Sequence, residues 1–236
     1  MHRTMLFVFM AMVLALGSGQ AFSQAWTGEG DLGFSQASGN SETETLTAAV
    51  GINYDPASNW KHSLALSALN SSQNDERSAE NYGLDFNSIL DITPRSYLTG
   101  NLRFLADNFS GFETQTAVTV TIGTAFVDNG TVLFNGEIGA GFRNSELITG
   151  EEEDETIATG KLTFNWAISE TTNIDSHALV ETGEENTYSE GGVGLRVAIS
   201  EALGLRVAYL IINNSDAPED TVSTDRLTTL GINYKF

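Results

Sequence analysis

Carboxylates, histidines, glycines and a thin set of bases are the residues here whose types and spacing bear on chemistry. The densest acidic run is Glu151-Glu152-Glu153-Asp154-Glu155. Oxygen ligands of this kind suit Ca2+ or Mg2+, but the run lacks the spaced ligands and central glycine of a calcium-binding loop. It reads first as a solvated acidic loop tip, with a metal site as the lesser alternative. Glu184, Glu185, Asp216, Glu219 and Asp220 would enlarge the same negative surface. Asp175, Ser176 and His177 are consecutive and supply the residue types of a nucleophilic triad. In an extended chain Asp175 and His177 share one face and Ser176 takes the other, so the three do not converge. His62 meets the same obstacle, because Lys61 and Ser63 point away from it. Gly28-Glu-Gly30-Asp-Leu-Gly33 has the spacing G-x-G-x-x-G. A dinucleotide site needs that motif between a strand and a helix; here it lies within a strand with no helix after it, and the glycines read as room for close backbone packing.

The elements that must position these residues are strands throughout. In Leu227-Thr-Thr-Leu-Gly-Ile-Asn-Tyr-Lys-Phe236, Leu230, Ile232, Tyr234 and Phe236 take one face and Gly231, Asn233 and Lys235 the other. Successive side chains of a strand point to opposite faces, so one side is apolar, ends in aromatics and suits lipid. The alternation runs back through the chain. Trp26, Leu32 and Phe34 share a face; so do Leu46, Val50, Ile52 and Tyr54, and later Val118, Val120 and Ile122. No stretch after residue 25 has a 3.6-residue period. About twelve segments result, each near the length of a tilted membrane-spanning strand. The turns at Asp55–Asn59, Thr93–Arg95, Asp128–Gly130, Ser169–Thr172 and Ser200–Ala202 are short. Those between them include the longer acidic ones: Ser71–Glu80, Asn144–Glu155 and Asn213–Thr221. Short turns on one rim and long loops on the other predict an all-β, transmembrane, antiparallel up-and-down barrel, with short periplasmic turns and longer acidic extracellular loops. A secreted soluble sandwich or lipocalin also alternates, but has no reason to sort its loops by length.

The charges then sort by face. Lys61, Arg103, Arg143, Lys161, Arg196, Arg206 and Lys235 fall on interior positions. Asp85, Asp91, Glu113, Glu137, Asp175, Glu181 and Asp225 face them, with His177 among them. Basic side chains aimed at the bilayer midplane cost roughly 2–4 kcal/mol each, so an inward placement is expected. Such charges either pair across the interior and close it or line a narrow wet path whose field sorts small ions and solutes.

Composition bounds the rest. The 236 residues include no Cys, 31 acids and 11 bases, for a formal charge of −20. That excludes a disulfide framework or thiolate metal site and argues against nucleic acid, which needs a basic footprint. Mean hydropathy is only −0.11, as expected where half of each strand faces a polar interior. At the N-terminus, His2 and Arg3 precede the apolar run Met5 to Leu16, and small residues recur at Ala21 and Ala25. This reads as a secretory signal over residues 1–25, cleaved after Ala21 or Ala25, with the barrel occupying 26–236.

Trp26-Thr-Gly28, Gly33-Phe34, the Ser38-Gly39-Asn40-Ser41 turn, Tyr97 with Asp107-Asn-Phe109, Gly139-Ala-Gly141-Phe142 and the final Leu230-Gly-Ile-Asn-Tyr-Lys-Phe236 occur in that order. Together they resemble the YdiY-like family of salt-induced outer-membrane proteins, whose function is unknown and which carries no established catalytic residues. The resemblance implies a Gram-negative outer-membrane barrel and a link to osmotic or ionic stress. An aromatic two residues before a terminal Phe, here Tyr234 and Phe236, resembles the signal read by the barrel assembly machinery. The expected partners are therefore that machinery, outer-membrane lipid, and lipopolysaccharide, whose phosphates a divalent cation could bridge to the acidic rim. The expected state is a monomer without a cofactor. Three functions follow: a narrow porin-like channel, a closed barrel supporting the envelope, or, least favoured, an outer-membrane hydrolase using His177 or His62.

Overall fold

A computed structural model describes residues 25–37, 43–73, 76–107, 112–216 and 223–236. The expected signal segment, apart from Ala25, and the Ser38–Ser41 turn lie outside the described residues.

Twelve strands follow one another: β1 (Trp26–Ala37), β2 (Thr43–Tyr54), β3 (Trp60–Gln73), β4 (Glu76–Asp91), β5 (Ser96–Asp107), β6 (Phe112–Asp128), β7 (Val132–Leu147), β8 (Glu152–Ala167), β9 (Thr172–Thr182), β10 (Thr187–Ala198), β11 (Leu203–Asn214) and β12 (Thr224–Lys235). Each pairs antiparallel with its neighbours in sequence, and β12 returns to β1, so the sheet closes into an up-and-down barrel. Closure removes the sheet edges that an open meander would leave. The Asp128-Asn129-Gly130 hairpin signal is realised between β6 and β7, with Gly130 at φ 79°, a conformation that glycine adopts without steric cost.

Burial is inverted relative to a soluble protein. Large apolar side chains stand exposed around the outside, among them Leu32, Phe34, Val120, Ile138, Phe142, Leu205, Leu230 and Ile232. The fully buried large side chains are led by Arg143 and include Glu181, Asn186 and Asn233. A continuous exposed apolar wall of this size belongs against lipid. Near the short-turn rim the wall becomes aromatic: Trp26 lies 4.5 Å from Tyr54, His62 stacks between Tyr54 and Phe86 at 6.2 and 6.0 Å, and Tyr234 stacks on Phe236 at 6.2 Å. Gly28 makes the last contact possible. A Cβ there would lie 2.2 Å from the Phe236 ring, so the first glycine of the G-x-G-x-x-G run is the seat of the terminal aromatic and not part of a nucleotide loop. Backbone bonds between Gly28 and Phe236 in both directions, each 2.9 Å, tie the first strand to the end of the last.

Two expectations are corrected. The chain does not form long acidic loops at Ser71–Glu80 or Asn144–Glu155; strands do. β3 and β4 run to Gln73 and from Glu76, and β7 and β8 run to Leu147 and from Glu152. Polar residues there keep the ladder because they stand at or beyond the membrane surface, where outward polarity is free of cost. Only 148–151 forms the connection, so Glu152 to Glu155 are strand residues. The second correction concerns β6. A bulge between Phe112 and Thr114 inserts a residue and shifts the face by one. Phe112 is buried, and Glu113, expected in the interior, is exposed.

Ile138 and Ile199 are 70% and 69% exposed, but Ile138 sits at mid-strand in β7 and Ile199 in a short turn. In lipid vesicles Ile138→Arg should lower folding stability by about 2–4 kcal/mol and Ile199→Arg by under about 1 kcal/mol. Urea titration of refolded protein distinguishes them; equal costs would mean that water, not lipid, covers the wall.

Candidate functional site in the charged interior

One hydrogen-bonded row organises the interior. Glu155 on β8 stands opposite Arg143 on β7, Arg143 opposite Ala117 on β6, Ala117 opposite Arg103 on β5, and Arg103 opposite Asp85 on β4. All five point inward. Ala117 is fully buried between the two arginines, and its small side chain leaves the volume they occupy. Opposite charges stand side by side at the two ends of the row, and the Ala117 methyl group separates the two cations at its centre.

The arginines are held from the far strands. Arg143 donates to Glu155 Oε1 through Nε at 2.9 Å and through a terminal nitrogen at 2.5 Å, and also to the Asn186 carbonyl. Its other terminal nitrogen lies 3.8 Å from Glu181 on β9. Arg103 donates to the same Glu181 and stacks 4.0 Å above the ring of Tyr188 on β10. The span from β5 to β9 and β10 takes this side chain across the lumen. Tyr188 donates to Glu190 at 2.5 Å, and Glu190 meets His177 at 2.8 Å. The connection 183–186 seals one side: Glu185 and Asn186 give their backbone N–H groups to Glu155 at 3.0 and 3.4 Å, and the Asn186 amide binds Asn214 at 2.8 Å. Charges so far from water are tolerable because each carboxylate meets a guanidinium or several N–H donors.

Toward the short-turn rim the pairs are more open to solvent. Arg206 bridges Asp31 on β1 and Asp175 on β9 at 3.1 and 2.9 Å, and Arg196 reaches Glu29 at 3.0 Å. Lys61 pairs with Asp91 at 2.9 Å and, at 3.9 Å, with Asp55. Between the two layers is a polar cavity of about 30 Å3, lined by Asp85, Asn101, Thr121, Glu137 and Lys161 among others, room for roughly two waters. Glu137 accepts from Thr121 at 2.6 Å and from Tyr97 at 3.3 Å; Asp85 accepts from Asn101 at 3.1 Å and from Asn87. Lys161 makes no ion pair among the described residues. Asp225 and Lys235 lie on the inward face of β12 near its two ends, where both are exposed.

The interior charges expected from alternation face inward, except Glu113, and most are brought together; Lys161, Asp225 and Lys235 join no ion pair among the described residues. Glu29 and Asp31, which alternation sets opposite the apolar face of the first strand, join them, and so do Tyr188 and Glu190; continuing the two-residue period of β10 to its start would have found the latter two. The acidic run is divided by the same rule: Glu151 lies in the connection, Glu152 and Asp154 point out, and Glu153 and Glu155 point in. Glu155 is a buried partner of Arg143 and not part of a solvated tip. Among the described residues no three His, Asp or Glu side chains converge as metal ligands. Sequence adjacency also concealed that Ser88 lies directly across from His62 on the outer wall. The Ser88 hydroxyl takes the Trp60 indole N–H at 2.7 Å and makes no bond to His62 among the described residues, so this is no nucleophile–base pair.

A closed antiparallel barrel, apolar outside and charged within, defines a transmembrane β-barrel of the outer-membrane class. The chain belongs to the family described as "Protein of unknown function, DUF481", whose model matches residues 30–236. It is 32% identical over 212 residues to the uncharacterized protein YdiY of Escherichia coli (strain K12), covering 88% of this chain and 83% of that one. Solved barrels share the fold. The NanC porin superposes with a TM-score of 0.57 at 7% identity, over 88% of this chain and all of that one. An outer membrane channel from Pseudomonas putida F1 gives 0.54 at 8% identity, over 90% and 95%. The translocator domain of autotransporter NalP from Neisseria meningitidis gives 0.53 at 13% identity, over 99% and 96%. Such identities speak to fold alone.

Removing one member of a buried ion pair leaves the other uncompensated, at about 3–5 kcal/mol. Arg143→Met should therefore lose about that much stability, while Arg143→Met with Glu155→Leu should recover a large part of it. A double-mutant cycle by urea unfolding in vesicles checks the coupling.

Proposed function

We propose that the protein is a monomeric outer-membrane barrel, exported by its N-terminal signal, whose interior is a narrow path for small ions or solutes. The short-turn rim, where β1 begins and β12 ends, faces the periplasm, and the acidic connections face outward. The observation that carries this reading is the Arg103–Glu181 bridge over the cavity that contains Lys161 and Glu137. Charged groups on both sides of a gap only a few waters wide form a transverse field, which sorts solutes by charge and size. Twelve strands fall between barrels that side chains fill and barrels that stay open, so the reach of Arg103 and Arg143 sets the bore. Glu151, Glu152, Asp154 and Glu184 concentrate cations at the outer mouth, where divalent ions would also bridge to lipopolysaccharide. Tyr234 and Phe236 present the signal for barrel assembly. A role in salt or osmotic stress fits an entrance whose surface charge is screened as ionic strength rises.

A second reading is favoured by the fully buried Arg143–Glu155–Glu181 layer: a shut barrel that supports the envelope without conducting. Neither reading involves catalysis, since His177 is engaged by Glu190 and His62 sits among aromatic rings.

Planar-bilayer recording decides between them. The channel reading expects small, discrete, salt-dependent steps from wild-type protein, cation-preferring at low salt. Arg103→Ala should raise unit conductance several-fold. Silence from both proteins across a range of voltages and salts leaves the structural reading.

A further inference from the structure

Water reaches the inner face of the barrel unevenly, and the division follows the strands. On β6 the inward residues Gln115, Ala117, Thr119 and Thr121 are all buried. On β3 the inward residues Ala65 and Ser67 are exposed, although they stand at mid-strand. At that depth the outer face meets lipid, so exposure of the inner face marks open space within the barrel. The register shows where the space comes from. One row runs Glu29, Gly51, Ala65, Asp85 across β1 to β4, and the next runs Asp31, Ala49, Ser67, Gly83. Between the carboxylates of β1 and that of β4 the wall is glycine, alanine and serine, which project little into the lumen. The large arginines Arg103 and Arg143 reach toward β8, β9 and β10. On β3 itself Lys61 pairs, among the described residues, only with neighbouring Asp91 and Asp55 near the short-turn rim. Toward the loop rim the wall narrows where the buried Ser71 hydroxyl meets that of Thr45 at 2.9 Å, and half-buried Thr47 on β2 continues it.

Asp85 borders this space. It stands opposite Ala65 on one side and Arg103 on the other, between the open and the packed parts of the lumen. Arg103 does not pair with it, because that guanidinium goes to Glu181 and to the ring of Tyr188. Asp85 is held by the side-chain amides of Asn87 and Asn101, the latter at 3.1 Å. Neutral amide donors fix a carboxylate in place without cancelling its charge. The carboxylates of β1 differ: Glu29 pairs with Arg196 at 3.0 Å and Asp31 with Arg206 at 3.1 Å. Of the three acids that flank the small-residue wall, Asp85 alone therefore presents an uncompensated charge. A fixed negative charge beside a narrow wet path, with lipid behind the wall, draws cations and repels anions.

We propose that the conducting path runs off-centre, along the inner faces of β2 and β3, and that Asp85 is the residue that makes it selective for small hydrated cations. This route rests on the channel reading above and gives it a course and a permeant class. It also lets the packed layer and conduction coexist. Arg143, Glu155 and Glu181 fill the lumen on the β5 to β10 side, and ions pass beside that layer rather than through it. Ala49, Gly51, Ala65 and Ser67 leave the passage free, since nothing larger than a hydroxymethyl group stands there.

The chain has no cysteine, so one introduced thiol reports one position. Full-length protein carrying Ala65→Cys or Thr119→Cys is refolded into vesicles with a small, charged, membrane-impermeant maleimide on both sides. The off-centre path expects fast modification at 65 and slow or no modification at 119, where the inward side chain is buried. Equal rates, or no reaction at 65, overturn the route. In planar bilayers under a KCl gradient, the reversal potential of the wild type should show cation preference. Asp85→Asn should lower the cation-to-anion permeability ratio several-fold, and Asp85→Glu should retain it. Coupling a bulky neutral maleimide to Ala65→Cys should cut unit conductance several-fold. An unchanged ratio in Asp85→Asn overturns the role of Asp85, and unchanged steps after coupling at 65 overturn the route; either result leaves the channel reading standing. Silence from the wild type overturns the channel reading and the path with it.

Discussion

The fold depends on satisfying backbone hydrogen bonds inside hydrocarbon. No water is present there to rescue an N–H or C=O, so a spanning sheet must close on itself. Closure fixes which face of every strand meets lipid, and the two-residue period then sends every second side chain into the lumen. Arg143 is buried in the interior because its neighbours Phe142 and Asn144 point the other way, and Phe142 is one of the most exposed side chains of the outer wall. The apolar exterior and the charged interior are one pattern, seen from its two sides.

The interior inherits a problem from this arrangement. Bases cannot face lipid, so they collect where water is scarce and must find partners there. The chain has about three acids for each base, and the surplus lets Arg143 be shared between Glu155 and Glu181 and Arg206 between Asp31 and Asp175. A guanidinium can divide its donors in this way, whereas a lysine ammonium is a point charge. Within the buried layer the arginines do the bridging, Lys161 lines the cavity without an ion pair among the described residues, and Lys61 is shared between Asp91 and Asp55 only at the solvent-open rim. The excess negative charge is left over at the rims.

Period and turn chemistry made most of the barrel readable from the sequence, because a strand that faces lipid on one side has to alternate. The strand order, the closing of β12 on β1, the hairpin at Asp128-Asn129-Gly130 and the inward set of bases all follow from that rule. It fails in particular places. Glu113 is displaced because a bulge adds a residue without leaving a mark in the composition. Residues 71–80 and 144–155 looked like loops because polar strands beyond the membrane surface have no apolar face to betray them. The partners of Arg143 were not legible either, since Glu155, Glu181 and Asn186 lie on separate turns and strands that only closure brings together. Nor could alternation show that Ser88 stands across from His62, because that depends on register.

Depth along the barrel orders these features. The buried ion-pair layer lies toward the loop rim, where Glu155, Glu181 and Tyr188 stand close to the strand ends. The opposite rim is where Trp26, Tyr54, Trp60 and Tyr234 anchor the wall and β1 is bonded to the last residue through Gly28 and Phe236. The first strand is thus bonded to the last at the rim where the lumen charges are most open to solvent, while the rim where the lumen is most tightly packed is held by side chains, through Arg143, Arg103 and their partners on β5 to β11. Backbone bonds close the wall, and charge pairs that reach across the lumen keep its loop-side half from collapsing or opening.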